Sequence, residues 1–134
     1  MATVLTPFAE RTYALLRIVA GALFMFHGVQ KIFGILADQQ PPVGSQLWIG
    51  GALELVCGAA IAVGLFTSWA AFVASGVMAV AYFQFHWQFQ FDSAFFPAVN
   101  KGELAVLCCF VFLYIACKGS GVWSLEAARR HRVT

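Results

Sequence analysis

The sequence predicts an all-α integral membrane protein, a four-helix up-down-up-down bundle with both termini in the cytoplasm. Of its 134 residues 61% are hydrophobic and only 10% are charged, whereas a soluble domain carries about a quarter charged residues. No Asp, Glu, Lys or Arg occurs between Glu54 and Asp92, a run long enough for two spans of about 20 residues. Arg11, Arg17, Lys118, Arg129, Arg130 and Arg132 fall on the side of the termini and leave Lys31 and Lys101 on the other, the bias of a chain with cytoplasmic termini.

Thr6 and Pro7 read as the cap and first residue of a helix over residues 8–36, apolar from Tyr13 onward. Ala37 resembles a signal cleavage position, but Lys31 interrupts the apolar part, so the segment is kept as a permanent span. The DQQPP turn at 38–42 ends it, because the prolines lack donors and disfavour helix before them. A second helix covers 47–66, and the LFTSW link, with Thr67 or Ser68 as cap, turns tightly into a third over 69–89. QFHWQFQF, from residue 84, alternates like a strand. A lone strand cannot satisfy its backbone in hydrocarbon, so these aromatics are assigned to the interfacial end of helix three. DSAFFPAVN forms the loop to a fourth helix over 101–118, and Gly119 and Gly121 end it. One domain spans 8–126, followed by a basic cytoplasmic tail at 127–134.

The net charge of +2 and the lack of a basic, aromatic-bearing polar surface exclude nucleic acid. Cys57, Cys108, Cys109 and Cys117 sit in apolar stretches without C-x-x-C spacing and read as small hydrophobes. Cys57 stands out through its place one turn from Glu54.

Depth groups the polar residues. At 1.5 Å per residue, counting from Tyr13, His27 lies roughly 21 Å and Lys31 roughly 27 Å toward the outside, and Glu54 roughly 10 Å below the outer surface. His86 ends helix three and Glu103 starts helix four near that level. His27, Gln30 and Lys31, spaced i, i+3, i+4, share one helix face. His27, Lys31, Glu54, Asn100 and Glu103 are therefore the candidate ligand-binding or proton-handling set, with Gln30, His86, Cys57 and Arg17 secondary. Each has a structural reading beside it. Lys31 can snorkel to headgroups, Asn100 and Glu103 fit a capping box, and His86 fits an interfacial belt. Arg17 has no acid at its level in another span and is assigned to lipid phosphate. Glu54 with His27 can form a buried pair that only pins two helices, yet an ionisable residue within the membrane is a functional hypothesis by default. Histidines with carboxylates can hold a metal or haem, but no H-E-x-x-H or haem motif is present, so no metal site is assigned. An apolar pocket with a few hydrogen-bonding groups suits a quinone or other lipophile.

RIVAGALFMFHGVQKIFG (17–34), GALELVCGAAIAVGLFT (51–67), FFPAVNKGE (95–103) and GSGVWSLE (119–126) resemble the DoxX family of small four-helix bacterial membrane proteins, over about residues 11–126. The resemblance rests on R-x-x-x-G-x-x-F-x-x-H-G-x-x-K combined with a glutamate in helix two and G-E at helix four. It implies Arg17, His27, Lys31, Glu54, Asn100 and Glu103 as the characteristic polar residues. It also implies an inner-membrane protein tied to oxidoreductase systems, serving thiosulfate-to-quinone electron transfer in some members and quinone or thiol stress in others. Lys101 stands where a glycine is common, and Ser68 where an arginine often sits.

The expectation is a quinone- or lipophile-binding accessory subunit of a membrane oxidoreductase system, with the bilayer and oxidoreductase proteins as partners and homo-oligomerisation left open. No redox centre is recognisable, so independent enzyme activity is not expected. A membrane scaffold or stress-tolerance protein and a small exporter of lipophilic compounds are the alternatives.

Overall fold

A chain this apolar must close its backbone hydrogen bonds within its own segments. The computed structural model describes residues 4–130, and among these there are helices and turns but no strand. A 3-10 turn at Thr6–Phe8 leads into α1, Ala9–Phe33, which ends at Gly34 in the left-handed conformation. Ser45 caps α2, Gln46–Val63, by accepting from the Trp48 N–H at 3.3 Å. After a turn through Gly64 and Phe66, both at positive φ, α3 runs Thr67–Ala81 and continues as a π-helical turn, Tyr82–Trp87. A 3-10 turn at Ser93–Phe95 and a short α4, Pro97–Asn100, lead to α5, Glu103–Lys118, and then α6, Leu125–Arg130. The expected basic tail thus begins inside α6, and its part at 131–134, with Arg132, lies outside the described residues.

Among the described residues three helices are long and apolar enough to cross a membrane: 28 residues from Thr6, 18 from Gln46 and 21 from Thr67. α5, with 16 residues, extends about 24 Å against a hydrocarbon core of about 30 Å.

Close approach of backbones drives helix association where lipid is as apolar as leucine, and α1 meets α2 more extensively than any other pair of helices. Gly21 and Gly28 on α1 and Gly51 and Gly58 on α2 each stand seven residues apart and face one another in antiparallel order. A methyl group at Gly21 would come within 2.6 Å of the Ala62 nitrogen and 2.8 Å of the Gly58 carbonyl oxygen. One at Gly28 would strike the Leu55 backbone and approach the Gly51 carbonyl oxygen at 2.6 Å. α3 packs on α5 through Ala70, Ala71 and Ala74, and the Ser75 hydroxyl donates to the Cys109 carbonyl at 2.9 Å. Phe24 against Phe112, ring centres 4.8 Å apart, joins the two pairs.

The end of the bundle that carries the termini is stitched by Arg17, which is fully buried and not free to meet lipid phosphate as the sequence suggested. One guanidinium nitrogen donates to the carbonyls of Ile61 (2.6 Å) and Ala62 (2.8 Å), and the other to that of Trp123 (2.7 Å). The last carbonyls of a helix lack partners within it and carry its partial negative charge. The forked side chain of arginine can serve this helix end and the turn at Trp123 at once. Glu126 completes the stitch: its N–H donates to the Gly64 carbonyl, and its carboxylate caps α3 by accepting from the Thr67 N–H, each at 3.1 Å. That cap comes from far along the chain instead of from Thr67 or Ser68.

Gly28→Ala is expected to lower the thermal midpoint of the detergent-purified protein, since overpacking costs about 1–3 kcal/mol, while Gly76→Ala, at a helix-interior position where an added methyl meets nothing within 4 Å, raises it slightly. Arg17→Met, which removes the donor to the carbonyls of Ala62 and Trp123 and leaves that of Ile61 with the Gly64 N–H, is expected to cost about 3 kcal/mol, and Arg17→Lys to recover only part of it, in the same melts.

Candidate functional site

Glu54 lies one turn along α2 from Gly51, where the absence of a side chain leaves room for the stem of Lys31 from the last turn of α1. A methyl at Gly51 would stand 2.6 Å from the Lys31 Cβ. Lys31 thus reaches across α2 and its Nζ donates to Glu54 Oε1 at 2.6 Å. The two ends of the pair differ in burial: the glutamate side chain is 8% exposed and the lysine side chain 31%. The second carboxylate oxygen, Oε2, is buried without any hydrogen-bond partner among the described residues. Removing one partner of such a pair leaves a buried charge uncompensated, at about 3–5 kcal/mol.

The pair opens on a groove of about 350 Å³ between α2 and α3. Leu47, Leu53, Val77, Val80 and Phe85 supply its apolar walls. Gly50 and Gly76 line it from opposite helices, and a methyl added at either would meet nothing within 4 Å. These two glycines, unlike those between α1 and α2, are not needed for helix contact. At the mouth the Gln46 amide donates to the Gln84 carbonyl oxygen, tying the start of α2 to the π-helical turn. A π-helical segment shifts the register of the side chains that follow it and recurs at functional sites.

The other residues expected at this level do not converge on the pair. His27 is exposed and makes no side-chain hydrogen bond among the described residues. It precedes Gly28, which faces α2, and one residue of helix rotates a side chain by about 100°, so height alone did not bring it to Glu54. Gln30 donates to the Leu36 carbonyl at 2.9 Å and closes the end of α1. His86 and Asn100 belong to a second cluster that fixes the loop between α3 and α5. His86 Nδ1 lies 3.2 Å from the Asn100 carbonyl oxygen, Asn100 donates to the Ala94 carbonyl at 2.8 Å, and the Tyr82 hydroxyl donates to the Phe95 carbonyl at 2.7 Å.

The expected capping box is replaced by a tighter turn. α5 begins at Glu103 with Gly102 as its cap residue, and the Asn100 side chain accepts from the Gly102 N–H at 2.8 Å. Lys101 between them has φ 60°, a conformation that glycine adopts without strain. Glu103 is exposed, with no side-chain partner among the described residues, and its charge sits favourably at the start of α5. Cys57 is buried one turn beyond Glu54 and is a free thiol, as are Cys108, Cys109 and Cys117. Among the described residues no group of three or more His, Cys, Asp or Glu side chains could hold a metal ion.

Two features of the groove escaped the sequence reading. Gln46 and the pair Gly50 and Gly76 were not singled out as site residues, although a glycine on each of two successive apolar helices, without a close neighbour to require it, is a signal that becomes legible once the helix faces are known.

Comparison with known proteins agrees with this architecture. The sequence signature of the DoxX family matches residues 12–87, which takes in α1, α2, α3 with its π-helical turn, and both members of the ion pair. A protein of Haemophilus influenzae (strain ATCC 51907 / DSM 11121 / KW20 / Rd) described as an uncharacterized protein is 38% identical over 117 residues, covering 84% of this chain and 87% of its own. No solved structure matches the chain. With its apolar helices and this match over more than half its length, the chain belongs to the DoxX family of membrane proteins.

Proposed function

We propose that this DoxX-family protein is an accessory subunit that holds a quinone-like lipophile in the groove beside Lys31 and Glu54 and serves an oxidoreductase assembly of the bacterial inner membrane. In this reading α5 is a fourth span, its short length completed by the neighbouring loops, and the excess of basic residues near the termini sets both in the cytoplasm. The groove then lies in the outer half of the bilayer.

The observation that carries the reading is an ion pair, Lys31 with the buried Glu54, at the wall of an apolar groove that Gly50 and Gly76 also line. Ligand pockets are largely apolar, with a few placed polar groups that fix orientation. Here Lys31 offers N–H donors and Glu54 an acceptor, so the pair can orient a polar ring and exchange a proton with it, while the leucines, valines and Phe85 cover its apolar body. A non-catalytic membrane scaffold or stress-tolerance protein is the second reading, favoured by the fact that the same ion pair joins α1 to α2.

Quinone is expected in lipid extracts of the purified wild-type protein. It is expected to disappear with Gly76→Leu, which fills the groove, and to fall about tenfold or more with Glu54→Gln, which releases the Lys31 ammonium that donates to the quinone oxygen, since hydrogen bonds to charged groups contribute about 1.5–3 kcal/mol. Both variants should remain folded by circular dichroism. A wild-type protein free of quinone, or a Glu54→Gln protein that loses its fold while Gly76→Leu retains the ligand, favours the scaffold.

A further inference from the structure

At the other end of α1 from Lys31, where the termini lie, the bundle holds a second recess of about 480 Å³ between the start of α3, the turn after α5, and α6. Ser68, Lys118, Ser120, Glu126 and Arg130 supply its polar lining. Glu126 draws α6 onto α3 by accepting from the Thr67 N–H. Gly119, at φ 81°, turns the chain so closely past α3 that a methyl there would stand 3.6 Å from Ser68 Oγ.

Ser120 is 8% exposed, yet its hydroxyl has no hydrogen-bond partner among the described residues. Its oxygen differs from the unpartnered atoms of Arg17, Glu54 and Thr67, which are closed off, in keeping accessible surface, and Ser120 lines the recess. A largely buried hydroxyl without a partner calls for one from outside the chain. The Ser68 hydroxyl and the Arg130 guanidinium are likewise without partners among the described residues. Lys118 gives one donor to Glu10 at 2.7 Å and keeps two more on a side chain that is 29% exposed. Two cations and two hydroxyls around one recess match the oxygens of a phosphate.

Glu126 restricts which phosphate can enter. One of its oxygens serves the Thr67 N–H, and the other is unpartnered but not closed off. A ligand that is only an anion would face this carboxylate across the recess. The formal charges of Lys118 and Arg130 are also cancelled by those of Glu126 and Glu10, so the site as a whole favours neither sign. Independently of the groove beside Lys31, we infer that the recess holds a phosphoethanolamine head, its phosphate on Lys118, Arg130 and the serine hydroxyls and its ammonium on Glu126.

The surroundings favour a phospholipid as the bearer of that head. Phe66, Trp69 and Trp123 are exposed at this end of the bundle, and such aromatics settle at the level of lipid headgroups. Ser68 directly precedes Trp69, which sets the recess at that level. A choline head has no N–H to give Glu126, and a glycerol head has no cation. A soluble phosphoester carries the same groups without acyl chains, and the test separates the two sources.

The delipidated full chain in detergent is equilibrated with equimolar dioleoyl phosphatidylethanolamine, phosphatidylcholine and phosphatidylglycerol, and the lipid retained after gel filtration is measured by mass spectrometry. Phosphatidylethanolamine is expected at about tenfold over each of the others, in line with one hydrogen bond between charged groups. Glu126→Gln, which keeps an oxygen for the Thr67 N–H, should abolish that preference. Ser120→Ala, which removes an unpartnered hydroxyl and should leave the thermal midpoint unchanged, should lower retention of phosphatidylethanolamine about fivefold. Displacement of the lipid by an equal concentration of glycerophosphoethanolamine supports recognition of the head and assigns its source to a soluble phosphoester, whereas failure to displace it assigns the source to lipid. Equal retention of the three lipids by the wild-type protein, preference for phosphatidylglycerol, or retention of none overturns the inference. So does a preference that Glu126→Gln leaves intact, or retention that Ser120→Ala leaves intact.

Discussion

The contact of backbone against backbone between α1 and α2 is the constraint on which the rest of the molecule depends. Four glycines bring the helices so near that a single methyl at Gly21, Gly28 or Gly58 would run into main-chain atoms of the other helix. That nearness has a chemical consequence at Gly51. Lys31 lies over the bare backbone there and can extend to Glu54 without leaving the protein. With a side chain at 51 the lysine stem would be pushed outward, toward the headgroups that a snorkelling lysine ordinarily seeks. Packing in this bundle therefore selects between a lipid-directed cation and an internal ion pair, and the choice is made by a residue that takes no part in the pair.

The two sets of glycines do opposite things. Between α1 and α2 they are filled by the partner helix, whereas at Gly50 and Gly76 nothing occupies the space. A glycine in a helix interior costs about 0.5–1 kcal/mol relative to alanine, so positions where packing does not call for it invite a different explanation. The groove supplies one, because both residues line it between α2 and α3. α2 is thereby a helix with two distinct faces: one carries Gly51 and Gly58 into α1, and the other carries Gly50 and Leu53 toward α3, with Glu54 at the boundary.

Sequence alone revealed the helical class, the apolar spans and the presence of a carboxylate at residue 54 inside one of them, because these follow from composition and from the cost of charge in hydrocarbon. Height along the helix was also legible, since it accumulates at a fixed rise per residue. Azimuth was not, and that is why His27 was placed beside Glu54 at a common level while it is exposed and makes no side-chain hydrogen bond among the described residues. The seven-residue spacing of Gly21 with Gly28 and of Gly51 with Gly58 held the missing information, since together the two pairs define which face of each helix is shared. Arg17 was illegible for another reason. Its partners are carbonyl oxygens, which every residue possesses, and they come from segments that only the folded chain brings together. The start of α5 shifted by two residues because the Asn100 side chain found a nearer N–H, that of Gly102, and a local turn of this kind competes with a helix cap for the same side chain.

The stitch around Arg17 also imposes an order on biogenesis. Val122 and Trp123 follow Arg17 by 105 and 106 positions, so at synthesis speeds of about 5–20 residues per second the guanidinium waits at least several seconds after translation before two of its acceptors exist. Over that interval a nascent α1 carries a cation without those acceptors, and the N–H of Thr67 has no carboxylate from Glu126. The bundle can lock only when the last helix emerges from the ribosome and folds back on the turn between α2 and α3, which makes the C-terminal segment the latch of the assembly.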